Sequence, residues 1–129
     1  MRYLGIDHGD KRIGISLSDE SGVFAFPFLT VENGKKAIDE IKKICSEQGV
    51  DIIVMGLPLS FSMKETEQTK KVKEFSKKLC KEIDLPIEFE NEFLTSKMAG
   101  KQGVGKQNID ESSAALILQG WLDKNKQHL

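Results

Sequence analysis

Between Tyr3 and Ser18 the chain reads YLGIDHGDKRIGISLS, and this stretch restricts the possible folds more than any other. Tyr3 to Ile6 is apolar, and Asp7 closes the run with a carboxylate. His8-Gly9-Asp10-Lys11 then turns the chain into a second, alternating run from Ile13 to Ser18. Two strands joined by a tight glycine-containing turn give this pattern. An acid at the end of a burial-prone strand is tolerated only if it is paired, hydrogen-bonded or bound to a metal. Tyr3, Gly5 and Asp7 share one face of the first strand, and Leu4, Ile6 and His8 the other. In the second, Ile13, Ile15 and Leu17 alternate with Gly14, Ser16 and Ser18. One face of the hairpin is therefore lined by small residues beside Asp7. They leave room for a ligand or for the close approach of another backbone, and this cue alone favours neither. His8 has no histidine or cysteine at zinc spacing, the only other histidine being His128, so it reads as a packed or surface residue.

Val23 to Val31 is rich in aromatic and β-branched residues and reads as a third strand, with Pro27 placing it at an edge. Its three phenylalanines read as core. A helix opening at Asn33 or Gly34 runs to about Gln48, with Ala37, Ile38, Ile41, Ile44 and Cys45 on one stripe and Gly49 as its stop. Asp51 to Leu57 is a continuous apolar run too short for a helix, which predicts a strand buried on both faces with a parallel neighbour. A loop leaves its carboxyl end at Gly56-Leu57-Pro58, the position where open α/β sheets bind ligands.

Lys64 to Glu82 predicts a second helix with Val72, Phe75, Leu79 and Ile83 inside, and its seven lysines against four glutamates read as a solvated face. Pro86 to Glu92 predicts another strand, on which Glu88, Glu90 and Glu92 share one face; parity does not choose among them. Thr95 to Gln107 reads as a short helical turn and a basic loop, carrying Lys97, Lys101 and Lys106 and three glycines. Asp110 opens a last helix to about Asp123, where it could serve as the N-cap or as a functional carboxylate. Ala114 to Leu118 is apolar throughout, so this helix is expected to be largely buried.

The element order β-β-β-α-β-α-β-α predicts one α/β domain over residues 1–129. Its mixed five-stranded sheet has three antiparallel strands, then parallel strands, with helices on its faces. With 129 residues the chain can bury roughly two-thirds of its unfolded surface without staples. Cys45 and Cys80 read as buried free thiols of a reducing cytosol. No leader or membrane span is legible, which points to a cytoplasmic protein. Lysine and arginine number 19 against 20 acids, so any basic patch must be local.

The chain resembles the ribonuclease H-like fold, and within it the YqgF/RuvX family, whose members are named as pre-16S rRNA nucleases and as Holliday junction resolvases. The match rests on Gly5-Ile6-Asp7-His8-Gly9 with Lys11-Arg12-Ile13-Gly14, on Val54-Met55-Gly56-Leu57-Pro58-Leu59, on Asn91-Glu92-Phe93-Leu94-Thr95-Ser96, and on Ile109-Asp110 with Ser113-Ala114-Ala115. It implies that Asp7, Glu92 and Asp110 are catalytic, metal-binding carboxylates, and it selects Glu92 among the three glutamates. Asn91 and Phe93 depart from the Asp and Arg usual in the third block. The loop from Ser60 to Glu67 lacks the usual glycines.

Three ionised acids brought together repel one another unless a cation joins them. Mg²⁺ or Mn²⁺, as one or two ions, suits oxygen ligands and bridges to phosphates. The resemblance therefore implies metal-dependent phosphodiester hydrolysis, with Lys11, Arg12, Lys97, Lys101 and Lys106 as candidate phosphate contacts. The expected partner is nucleic acid, RNA in 5′-end processing of pre-16S rRNA, with pre-ribosomal particles as the setting. Four-way DNA is the alternative, and a non-catalytic RNA-binding assembly factor a further one. Asp-x-Gly before a hairpin also resembles the first phosphate loop of actin-like and sugar-kinase ATPases, which close two such domains over nucleotide.

Overall fold

The computed structural model describes residues 1–59, 64–92 and 106–125, excluding the side chains of Glu92 and of residues 106–110. Its elements are β1 (Tyr3–His8), β2 (Arg12–Ser18), β3 (Ala25–Glu32), α1 (Ala37–Gln48), β4 (Ile52–Pro58), α2 (Glu67–Glu82), β5 (Ile87–Glu92) and α3 (Lys106–Lys124). The five strands form one sheet in the order β3-β2-β1-β4-β5. β1 pairs antiparallel with β2, and β2 with β3, while β4 runs parallel to both β1 and β5. This is the expected mixed sheet, and the apolar run of β4 lies between two parallel neighbours.

Strand alternation divides the interior in two. Leu4, Ile6, Ile13, Ile15, Leu17, Ile53 and Met55 face α1 and α2, meeting Ile41, Ile44, Val72, Phe75 and Leu79. Each fully buried aliphatic side chain here contributes about 1.5–3 kcal/mol. On the other face Val54 packs with Ile117, Leu118 and Leu122 of α3, flanked by Tyr3 and Trp121. Among the described residues no helix is long and apolar enough to cross a membrane.

The small-residue face of the hairpin is filled by a helix backbone. A Cβ added at Gly5 would overlap Ser16 Oγ and come within 2.9 Å of both Ala114 O and Leu118 Cβ. Ser16 Oγ donates to Ala114 O at 2.8 Å, a buried bond that ties β2 to α3. Of the two readings of that face, close packing is the one the fold uses over Gly5 and Ser16.

Several boundaries and burials differ from expectation. α1 begins at Ala37 rather than at Asn33 or Gly34, and its N-cap Lys36 makes no side-chain cap bond. Gly49 ends it in the left-handed region at φ 65°, as expected. α2 begins at Glu67, after Thr66 and Thr69 cap each other reciprocally. Thr69 Oγ1 also donates to Pro58 O, joining the start of α2 to the end of β4. α3 already includes Lys106 and Gln107, so Asp110 lies within the helix and is not its N-cap.

Leu116 is 72% exposed, so α3 turns one apolar residue to solvent, where a largely buried helix was expected. Phe24 and Phe26 are exposed rather than core, Phe24 just before β3 and Phe26 on it, where β3 is the outermost strand of the described sheet. Pro27 lies on that edge beside a bulge, the register shifting between Ile15 and Ser16. Cys45 is buried as expected, but Cys80 is exposed on α2. The basic loop from Thr95 lies outside the described residues up to residue 105.

Two consequences can be measured. Gly5→Ala should lose about 1–3 kcal/mol through overpacking between β1 and α3. Gly34→Ala, which meets nothing within 4 Å, should stay within about 1 kcal/mol of wild type; urea midpoints compare the two. Burial pushes the Cys45 thiol up to about 11. At pH 8 a thiol reagent should therefore label Cys80 rapidly, and Cys45 only at the rate of unfolding, which mass spectrometry of labelled peptides resolves.

Candidate active site

Asp7 is half-buried near the carboxyl end of β1, opposite Gly14 of β2 in the antiparallel register. Gly14 brings no side chain of its own against it. Glu92 is the last residue of β5, in register with Pro58 at the end of β4. β1, β4 and β5 are parallel neighbours, so Asp7 and Glu92 share the carboxyl edge of the sheet. The backbones of β1 and β5 are two strand spacings apart, about 9.5 Å.

The direction of α3 brings Asp110 to the same edge. Ala114 and Leu118 crowd Gly5, whereas Trp121 meets the Tyr3 ring with centroids 5.2 Å apart. Along β1 the helix thus runs opposite to the strand, and its first turns lie toward the strand's carboxyl end. Asp110 precedes Ala114 by four residues, about 6 Å along a helix axis. Asp7 follows Gly5 by two, about 6.6 Å along a strand. The backbone carries both acids the same way by a similar distance.

Glu90 has another occupation. Its side chain is only 12% exposed and accepts a bond from Lys124 Nζ at 2.8 Å. Gly120 makes room for it, since a Cβ there would come 3.0 Å from Glu90 Oε2. Glu90 thereby docks the end of α3 onto β5, and Glu88 is exposed. Of the three glutamates on that face of the strand, Glu92 alone sits at the sheet's edge.

The turn after Asp7 is fixed from the opposite side of the sheet. The His8 ring packs on Phe75 with centroids 4.7 Å apart. Asn33 Nδ2 lies 3.2 Å from His8 Nε2 and donates to Gly9 O at 2.8 Å. The Asn33 backbone N–H donates to Lys11 O at 2.9 Å. Gln68 Nε2 donates to His8 O at 3.3 Å, and Lys71 pairs with Asp10 at 3.1 Å. Burial pulls His8 below the usual imidazole range; Asp10 opposes this and Lys71 adds to it. The packed-histidine reading of His8 is the one observed. Sequence reading missed Asn33 and Gln68 as partners of this turn. Asn33 looked like a helix cap, and Gln68 is one polar residue on a polar helix.

Of the expected phosphate contacts, Lys11 is exposed on the turn and Arg12 is half-buried at the start of β2. Lys106 begins α3 rather than lying in a loop, and Lys97 and Lys101 lie outside the described residues. Among the described residues no three His, Cys, Asp or Glu side chains form a metal-binding group. The side chains of Glu92 and Asp110 are not among those described. The donor chemistry of Asp7, Glu92 and Asp110, three hard carboxylates on converging backbones, fits Mg²⁺ or Mn²⁺ and does not fit a soft thiophilic ion.

The sequence profile described as "RuvX: Holliday junction resolvase" matches residues 1–124. A protein of Clostridium novyi (strain NT) named "Putative pre-16S rRNA nuclease" is 39% identical, over 95% of this chain and 98% of its own length. One of the same name from Mycoplasma mobile is 40% identical, over 95% and 92%. Among solved structures, T. thermophilus RuvC in complex with Holliday junction substrate matches with a TM-score of 0.60 at 14% identity, over 98% and 96% of the two chains. Fowlpox virus resolvase with Holliday junction DNA matches with a TM-score of 0.58 at 10% identity, over 96% and 98%. At such identities the structural likeness shows the fold, a mixed sheet shared with ribonuclease H-like resolvases.

Proposed function

This chain belongs to the RuvX family, and on that membership we propose that it is a metal-dependent nuclease that hydrolyses phosphodiester bonds in the 5′-end processing of pre-16S rRNA. The observation that carries the reading is the convergence of the ends of β1 and β5 with the first turns of α3, which brings the backbones of Asp7, Glu92 and Asp110 to one edge of the sheet. Asp7 is the central ligand and Glu92 and Asp110 complete the set. A bound Mg²⁺ or Mn²⁺ supplies an activated water and neutralises charge on the phosphate. The protein's own part is to hold three like charges close at neutral pH and to orient the strand being cut.

Lys11 and Arg12, on the turn and strand next to Asp7, are the first candidates for contact with the substrate backbone. Lys97 and Lys101, in the segment before α3, and Lys106, its first residue, are the further candidates. The curated relatives' names support RNA as substrate, and pre-ribosomal particles as the place where it is met. The fold shared with junction-bound resolvases supports a second reading, symmetric cutting of four-way DNA. That reaction needs two active sites related by a two-fold axis.

Asp7→Asn should retain the wild-type melting temperature within a few degrees and lose more than about a hundredfold in cleavage, beyond what loss of an outer partner of a metal ligand costs. The assay is Mg²⁺- or Mn²⁺-dependent cutting of an RNA carrying the pre-16S 5′ leader, beside a four-way DNA junction matched in length. Full activity in Asp7→Asn overturns the carboxylate assignment. Cutting of the junction by a dimeric species, with the RNA intact, selects the second reading. RNA binding that survives loss of all three acids, with no cutting by wild type, identifies an assembly factor.

A further inference from the structure

We propose that Asn33 and Gln68 are positioning residues for Asp7, acting through the β1–β2 turn from the face of the sheet opposite the site. The inference rests on the nuclease reading above and adds two residues to its machinery.

Adjacent residues of a strand point to opposite faces, so Asp7 and His8 are two ends of one lever. His8 belongs to the side of Leu4 and Ile6, which face α1 and α2. There its ring lies on Phe75 and its Nε2 meets the Asn33 amide. Since Asn33 Nδ2 is only a donor, Nε2 is the acceptor and the imidazole proton sits on Nδ1. The main chain on either side of the ring is also held. Gln68 donates to His8 O, Asn33 Nδ2 to Gly9 O, and Asn33 N–H to Lys11 O. Inside the turn, Gly9 N–H donates to Arg12 O at 2.9 Å, and a Cβ on Gly9 would come 2.6 Å from that oxygen. The residues after Asp7 are therefore fixed by two segments distant in sequence, the β3–α1 connection and the first turn of α2.

The arrangement carries a local cost. Asparagine is among the best N-cap residues, and a missing cap costs a helix about 1 kcal/mol. α1 nevertheless starts three residues later than Asn33 allows, on Lys36, which makes no cap bond. A cation at a helix amino end is also unfavourable toward the macrodipole. Asn33 spends its amide on the turn instead. Departures from local rules concentrate where function outweighs stability.

The test measures Mn²⁺ affinity by isothermal titration alongside kcat and KM. Asn33→Ala should weaken Mn²⁺ binding and lower kcat by about 10-fold or more, the effect typical of outer-shell partners, with KM for the RNA within about twofold. Asn33→Asp keeps the size but loses the donor, and should be impaired as Asn33→Ala is. Gln68→Ala, losing one long bond, should show a smaller loss of the same kind. Ile44→Val, on the far part of α1, serves as a control for destabilisation: it should lower the melting temperature and leave Mn²⁺ affinity unchanged. Wild-type Mn²⁺ affinity and kcat in Asn33→Ala, or in Asn33→Asp, overturn the proposal while the nuclease reading stands. Equal losses in Ile44→Val show a role in stability alone and overturn it too. A wild-type chain that neither binds Mn²⁺ nor cuts overturns the nuclease reading and the positioning role together.

Discussion

The contact on which this molecule depends is the close approach of α3 to β1 over Gly5. The distance is set by a missing side chain: with a Cβ at residue 5, Ala114 O, Leu118 and Ser16 could not all remain where they are. Ser16 then donates to the carbonyl that Gly5 lets in. That bond also satisfies a buried hydroxyl, which would otherwise cost about 1–3 kcal/mol. Because Trp121 meets Tyr3 at the other end of β1, the helix has one direction over the strand. Its amino end is delivered to the edge that carries Asp7. Packing density at one glycine thus decides to which edge of the sheet the backbone at Asp110, more than a hundred residues away, is brought.

The two faces of the sheet divide the work. The α1–α2 face is broad and aliphatic, with Leu4, Ile6, Ile13, Ile15, Ile53 and Met55 beneath Ile41, Val72 and Leu79. Little in such a layer can shift without opening voids. The α3 face is smaller, with Val54, Ile117, Leu118 and Leu122 at its centre, and it gives way to carboxylates at one end. At the carboxyl end of α3 Lys124 takes up Glu90, and Gly120 makes the space. The turn that follows Asp7 is held from the denser layer, by the His8 ring on Phe75 and by Gln68 on His8 O.

Most of the fold was legible because it follows from periodicity. Alternation in Tyr3–Ser18 gave the hairpin and its faces, the unbroken run before Gly56 gave a strand between parallel neighbours, and the stripe from Val72 to Ile83 gave the buried side of α2. What local sequence could not give was the outcome of competition. Asn33 is a cap by propensity and a turn anchor by tertiary contact, so the predicted start of α1 was a turn too early. The apolar run Ala114–Leu118 reads as largely buried, yet Leu116 faces outward. Phe24 and Phe26 read as core because local composition does not say which strand will be outermost in the sheet. Within the candidate site, periodicity placed Asp7 but could not separate Glu88, Glu90 and Glu92. Family resemblance selected Glu92, and the pairing of Glu90 with Lys124 supplies a physical reason consistent with that choice.

Charge raises a different question, because a chain with a net charge of −1 must still hold a polyanion. The long-range field offers little, so attraction has to be local. α2 is the most lysine-rich element, but near the site its lysines are engaged: Lys71 with Asp10, Lys73 with Glu65 at 2.7 Å and Lys70 with Glu67 at 3.9 Å. These pairs are exposed and add at most about 1 kcal/mol each. Of the three, the Lys71–Asp10 pair cancels charge on the turn itself. Lys11 on the turn and Arg12 at the start of β2 supply such local charge, in the hairpin that follows Asp7. The local distribution of charge, and not the total, is therefore what a polyanion meets at the end of β1.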